Sequence, residues 1–112
     1  MRFRLADFAE VAKEVRSTAI YDVHDLKTLK HLVVSMTHLH PRKETSGHAH
    51  ERAEEVYMFL EGTGEMILDE ERFPVTGGDV VLIPAGTFHK VLNPDETQDL
   101  RFFCIFEKYE GR

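Results

Sequence analysis

Apolar and polar positions alternate along most of this chain from residue 19 onward. In Glu55-Val56-Tyr57-Met58-Phe59-Leu60, the first, third and fifth residues share one face of an extended strand. Runs of this kind predict strands at 19–23, 31–39, 55–61, 64–69, 80–83, 88–92 and 99–107. Gly62-Thr63-Gly64, Asp69-Glu70-Glu71, Thr76-Gly77-Gly78 and Asn93-Pro94-Asp95 punctuate them as turns. Before residue 19 the period changes. Leu5, Phe8, Val11, Ala12 and Val15 recur at helical spacing and predict a short helix within 5–16. Asp7 followed by Glu10 has the form of a capping box, while residues 2–5 could instead start a strand. Seven short strands at this spacing describe an all-β sandwich or barrel, not a parallel α/β sheet. Residues 56–60 and 100–106 are apolar on both faces. One face packs the core, and a second subunit is the simplest cover for the other, so a homodimer is expected.

Length and composition narrow the class. The 112 residues suffice for one domain, with an N-terminal extension over 1–18 and the barrel over 19–107. Apolar residues at 42% and charged residues at 30% are ordinary for a globular chain. A formal charge of −6 argues against a nucleic-acid partner, which would need a basic patch. No apolar run approaches the roughly 20 residues of a membrane helix. Cys104 is alone and the N-terminus lacks an apolar signal region, so a cytoplasmic protein with no membrane partner is expected.

Chemistry is concentrated in two stretches. His48 and His50 are two residues apart and would point the same way from an extended chain, with Glu55 close behind. His89 lies on a later strand. Three imidazoles and a carboxylate form a nitrogen and oxygen set suited to one divalent transition metal, whether iron, manganese, cobalt, nickel, copper or zinc. If Glu55 faces the metal, Tyr57 and Phe59 line the same cavity. His38 and His40 have the parity opposite to Thr37 and are expected on the outside. His24, His31 and Glu54 are expected in solvent, and Cys104 is expected as a small buried hydrophobe.

These stretches resemble the cupin superfamily. Its second motif, G-x5-P-x-G-x2-H-x3-N, is matched by Gly78, Pro84, Gly86, His89 and Asn93. The first is matched by His48, His50, Glu55 and Gly62, with Arg42 in place of its leading glycine. The resemblance implies a double-stranded β-helix, a jelly-roll barrel, with His48, His50, Glu55 and His89 as metal ligands. Thr45-x-Gly47-His48-x-His50 and Ala53-Glu54-Glu55-Val56-Tyr57 are also similar to the cupin-type glucose-6-phosphate isomerases of archaea. That likeness implies that Thr37, Thr45 and Gly47 bind the substrate's phosphate, with Glu55 and Tyr57 at the catalytic centre. Phe106 stands where those isomerases carry a tyrosine. The expected function is therefore a metalloenzyme isomerising a sugar phosphate or similar small anion. Iron-dependent dioxygenation and non-catalytic binding or sensing are the alternatives.

Overall fold

The computed structural model describes residues 1–108. After a 3-10 turn at Leu5–Asp7 and a four-residue helix α1 at Phe8–Val11, every element is a strand. These are β1 Lys13–Ser17, β2 Tyr21–Leu26, β3 Leu32–Leu39, β4 Glu55–Glu61, β5 Thr63–Leu68, β6 Glu71–Thr76, β7 Val80–Ile83, β8 His89–Leu92 and β9 Leu100–Glu107. A six-stranded antiparallel sheet has the order β1-β2-β3-β9-β4-β7 and faces a three-stranded sheet, β6-β5-β8. Isolated bridges from Glu44 to Leu92 and from His48 to His89 lay the 44–48 segment along the free edge of β8. The all-β jelly-roll expected from the sequence is what forms.

Two expectations fail at the N-terminus. The helix ends at Val11, and residues 13–16, which fell within the expected helical stretch, belong to a strand that pairs with β2 instead. Strand β1 is exposed along its whole length, so helical spacing there carries no burial signal. Asp7 makes no side-chain capping bond, so no capping box forms. A third departure is β6, which the sequence did not suggest because Pro74 lies within it. Strand β6 is an edge, where a missing N–H costs no ladder bond.

The main core lies between the sheets. Leu39, Phe59, Met66, Val91, Leu100 and Phe102 are buried there by strand parity. The outer face of the large sheet carries a second cluster of Phe8, Met36 and Phe103. Phe8 meets Phe103 edge-on at 4.8 Å, so the N-terminal segment supplies part of the cover expected from a partner. Two cross-strand rows cover this face. One runs Leu26, Val34, Ile105, Val56, Leu82, and the other His24, Met36, Phe103, Met58, Val80. At the β7 end Val80 and Leu82 remain 60% and 67% exposed.

Turn chemistry fixes how the ligand-bearing strands enter. Gly62 has φ +93°, and a Cβ there would lie 2.6 Å from the Asp99 carbonyl oxygen, so glycine is required twice over. Arg42, at the position of the missing motif glycine, keeps a left-handed φ of 63° despite its side chain. Asn93 is buried. Its amide donates to the carbonyls of Leu39, His40 and Gln98 at 3.0, 3.2 and 2.9 Å, and its oxygen accepts from the Asp95 N–H at 3.1 Å. It thus ties the end of β3 to the loop before β9. Asn93→Ala should remove these three donated bonds and cost about 2–3 kcal/mol in denaturant unfolding. A loss under about 0.5 kcal/mol would show that the amide is dispensable.

Candidate metal centre

The site draws on both sheets. Glu55 opens β4 of the large sheet, and His89 opens β8 of the small one. His48 and His50 lie on the extended segment beside β8, held by reciprocal backbone bonds between His48 and His89 of 3.1 and 2.9 Å. A single bridge, not a full strand, therefore gives the two histidines their common direction. The second motif's turn also reaches this segment, because the Gly86 N–H donates to the His50 carbonyl at 2.6 Å.

The four side chains converge. One nitrogen or oxygen from each of His48, His50, Glu55 and His89 lies within 4.8 Å of every other. His50 Nε2 is 3.2 Å from Glu55 Oε1, and His89 Nε2 is 3.3 Å from Glu55 Oε2. Ligand atoms at right angles, each about 2.1 Å from one ion, would be about 3.0 Å apart. Glu55 and His89 are buried, whereas His48 opens toward solvent.

The protonation pattern fits a cation. His89 Nδ1 lies 3.1 Å from the Thr87 carbonyl and donates to it, which fixes the tautomer. In the neutral ring the Nε2 lone pair then faces a carboxylate oxygen, and Nε2 is buried without a well-aligned hydrogen bond. Two acceptors in contact need a proton or a metal between them. Burial would raise the Glu55 carboxyl, but the bond with His89 and the charges of all three histidines hold it below the ordinary range. Burial would lower His89, but Glu55 and the Thr87 carbonyl raise it above its usual value. The donor set therefore fits a divalent ion and can hold one.

Beside the ligands lies a cavity of about 100 Å³. Glu55, His48 and Tyr57 line it toward the cluster, and Thr37, Thr45 and Ser46 add hydroxyls. Tyr57 stacks on Phe102 at 5.3 Å and stands edge-on to His89 at 5.7 Å. Thr45 Oγ1 accepts the Val91 N–H at 3.0 Å, leaving its own proton for another acceptor. Gly47 is not among the lining residues. Its φ is +78°, and a Cβ there would meet the Phe88 ring at 2.6 Å. Outside this group, His38 faces outward and His40 sits between Asp22 and Asp99 at 3.4 and 3.3 Å. His24 is not solvated. It packs toward His38 at 6.2 Å, and its Nδ1 is buried without a hydrogen-bond partner. Sequence reasoning missed Arg16 and Tyr21, which also line the cavity. Pattern reading had placed Arg16 on a helix.

Fold and site together define a small two-sheet β-barrel with a histidine-rich, metal-competent pocket between its sheets. The cupin domain family matches residues 35–106, and the chain belongs to that family. It is 50% identical over 62 residues to an uncharacterized protein of Methanocaldococcus jannaschii, an overlap of 55% of this chain. The matched stretch is half the length of that relative. An RmlC-like cupin from Shewanella frigidimarina superimposes with a TM-score of 0.79 at 18% identity, covering 93% of this chain and 90% of that one. A protein from Acidithiobacillus ferrooxidans, provisionally named a sugar phosphate isomerase, gives 0.69 at 24% identity, covering 80% of this chain and 61% of that one. At such identities these likenesses show the fold. No helix among the described residues is long and apolar enough to cross a membrane.

The linked titration gives a test. A raised His89 stabilises the metal-free fold below its ordinary value of 6.5, and this is lost as pH rises through the folded value. A lowered Glu55 stabilises above its ordinary 4.5, and this is lost as pH falls through the folded value. Both contributions are present between 4.5 and 6.5. A metal must displace the His89 proton, so one equivalent should bind with affinity rising by up to about tenfold per pH unit as pH climbs toward the raised folded value of His89. Metal titration in chelator-buffered solution measures this, and a flat profile would refute the assignment.

Proposed function

We propose that this protein is a metal-dependent enzyme that isomerises a small sugar phosphate or a similar anionic sugar. The observation that carries the proposal is the cavity that joins Glu55 and His48 to the hydroxyls of Thr37, Thr45 and Ser46. A divalent ion held by His48, His50, Glu55 and His89 would polarise the substrate's carbonyl oxygen as a Lewis acid. Thr37 and Thr45 are the proposed donors to the phosphate oxygens, and Gly47, which does not line the cavity, is left to shape the turn before His48. Glu55 lines both the ligand cluster and the cavity, so its carboxylate is the group we assign to proton transfer. Tyr57, buried between Phe102 and His89, presents a rigid wall that orients the reacting carbons. The provisional name of the Acidithiobacillus ferrooxidans protein is consistent with this reading.

The test is product analysis by NMR with triose, pentose and hexose phosphates and fully metal-loaded protein. Aldose–ketose interconversion should vanish on chelation and fall about a hundredfold or more in Glu55→Gln. No turnover of any of these substrates would refute the proposal. Oxygen uptake by the iron-loaded protein would replace it with dioxygenation, and binding without turnover would replace it with a sensor.

We also propose a homodimer through the outer face of the large sheet. The support is the pair of cross-strand rows, apolar apart from His24, that ends at the exposed Val80 and Leu82. Light scattering should give twice the 12.9 kDa chain mass, and Leu82→Glu should shift it toward the monomer. A clean monomer of the unmutated protein at micromolar concentration would refute it.

A further inference from the structure

Arg16 belongs to β1, where the ladder with β2 breaks. Lys13 pairs with Asp25 and Glu14 with His24, but Arg16, not Val15, pairs with Val23. Val15 is the extra residue of a β-bulge. Without it Arg16 would oppose Asp22 on the outer face. With it Arg16 takes the parity of Val23 and Thr37, which pair with each other and line the cavity. A bulge is a means of re-aiming one side chain without disturbing the rest of a strand.

Its electrostatic setting also bears on the cavity, although among the described residues Arg2, Arg4 and Arg52 share its lack of an ion-paired carboxylate. Arg42, Arg72 and Arg101 each pair with a carboxylate. Among the described residues no carboxylate ion-pairs with Arg16, whose recorded partner is the Tyr21 phenol oxygen at 3.2 Å. A guanidinium carries five donors, so most remain for a ligand. It stands at the cavity mouth with the hydroxyls of Thr37, Thr45 and Ser46, all able to donate. Lining the cavity in common with them is the Glu55 carboxylate, which belongs to the ligand cluster.

We propose that Arg16 is the anion-recognising residue of this cavity and binds the oxyanion of the substrate, a phosphate or a carboxylate, through its planar fork. This rests on the reading of the pocket as a site for a small anion, and it adds a recognition residue on the N-terminal strand. Guanidinium geometry matches two oxygens at once, which a lysine at this position would not. A compact substrate would then be oriented with its anion toward β1 and its reacting oxygen toward the four ligands.

The test is calorimetric titration of metal-loaded protein with inorganic phosphate, with glycolate and with neutral ethylene glycol. Arg16→Met should lose about tenfold or more in affinity for whichever anion binds, with metal content and ethylene glycol binding unchanged. Arg16→Lys should fall between it and the unmutated protein. The stronger of phosphate and glycolate identifies the anion class. Deletion of Val15, which leaves Arg16 in the chain but restores an unbroken ladder, should match Arg16→Met. Unchanged anion affinity in Arg16→Met overturns the role of Arg16 while leaving the anion pocket standing. Failure of the unmutated protein to bind either anion at 10 mM overturns both.

Discussion

The buried carboxylate of Glu55 is the constraint around which the site is organised. An isolated ionised carboxyl cannot stay in a core without compensation. Here the compensation comes from imidazoles on the opposite side of the barrel, with His89 on β8 and His48 and His50 beside it. The polar centre can form only when the two sheets are docked in register. The same docking buries Phe59, Met66 and Phe102, so core packing and ligand geometry are one event. In the metal-free protein a proton between His89 and Glu55 can fill the role of the cation. Metal loading and protonation are therefore competing ways of satisfying the same pair of acceptors.

Much of this was legible in the sequence, because period-two alternation assigns a face to each residue. It put Glu55 and Tyr57 on one face of β4, and His89 and Val91 on one face of β8, without coordinates. Turn residues supplied the rest. Gly62 has a backbone that other residues would strain, and Asn93 is a buried clamp whose motif position has a physical reason. What the pattern could not supply was anything on exposed edges. Strand β1 buries none of its residues, so helical spacing there was unopposed by packing. Strand β6 carries a proline that argues against a strand anywhere but at an edge. His24 looked isolated in sequence because its neighbour, His38, lies across a strand pair.

The substitution of Arg42 for a motif glycine shows the limit of reading motifs as residue lists. The backbone there keeps a left-handed φ of 63°, and its N–H donates to the Asp95 carbonyl at 3.0 Å. The conformation, not the residue, is what the turn before the histidines requires. A neighbouring hydrogen bond can hold a non-glycine residue in it at a cost of about 1–2 kcal/mol.

A chain this short has to use both faces of its strands, and the N-terminal segment shows how. Phe8 lies on the outer face against Phe103, whereas Arg16, eight positions later, enters on the inner face beside Val23. Strict alternation along β1 would give Arg16 the outward parity of Glu14. One inserted residue, Val15, reverses that parity. The segment therefore contributes to the packing of the outer face and to the lining of the cavity, although little in its composition marks it for either. Its influence comes from register, which a single insertion or deletion would change while leaving nearly every side chain of the segment in place.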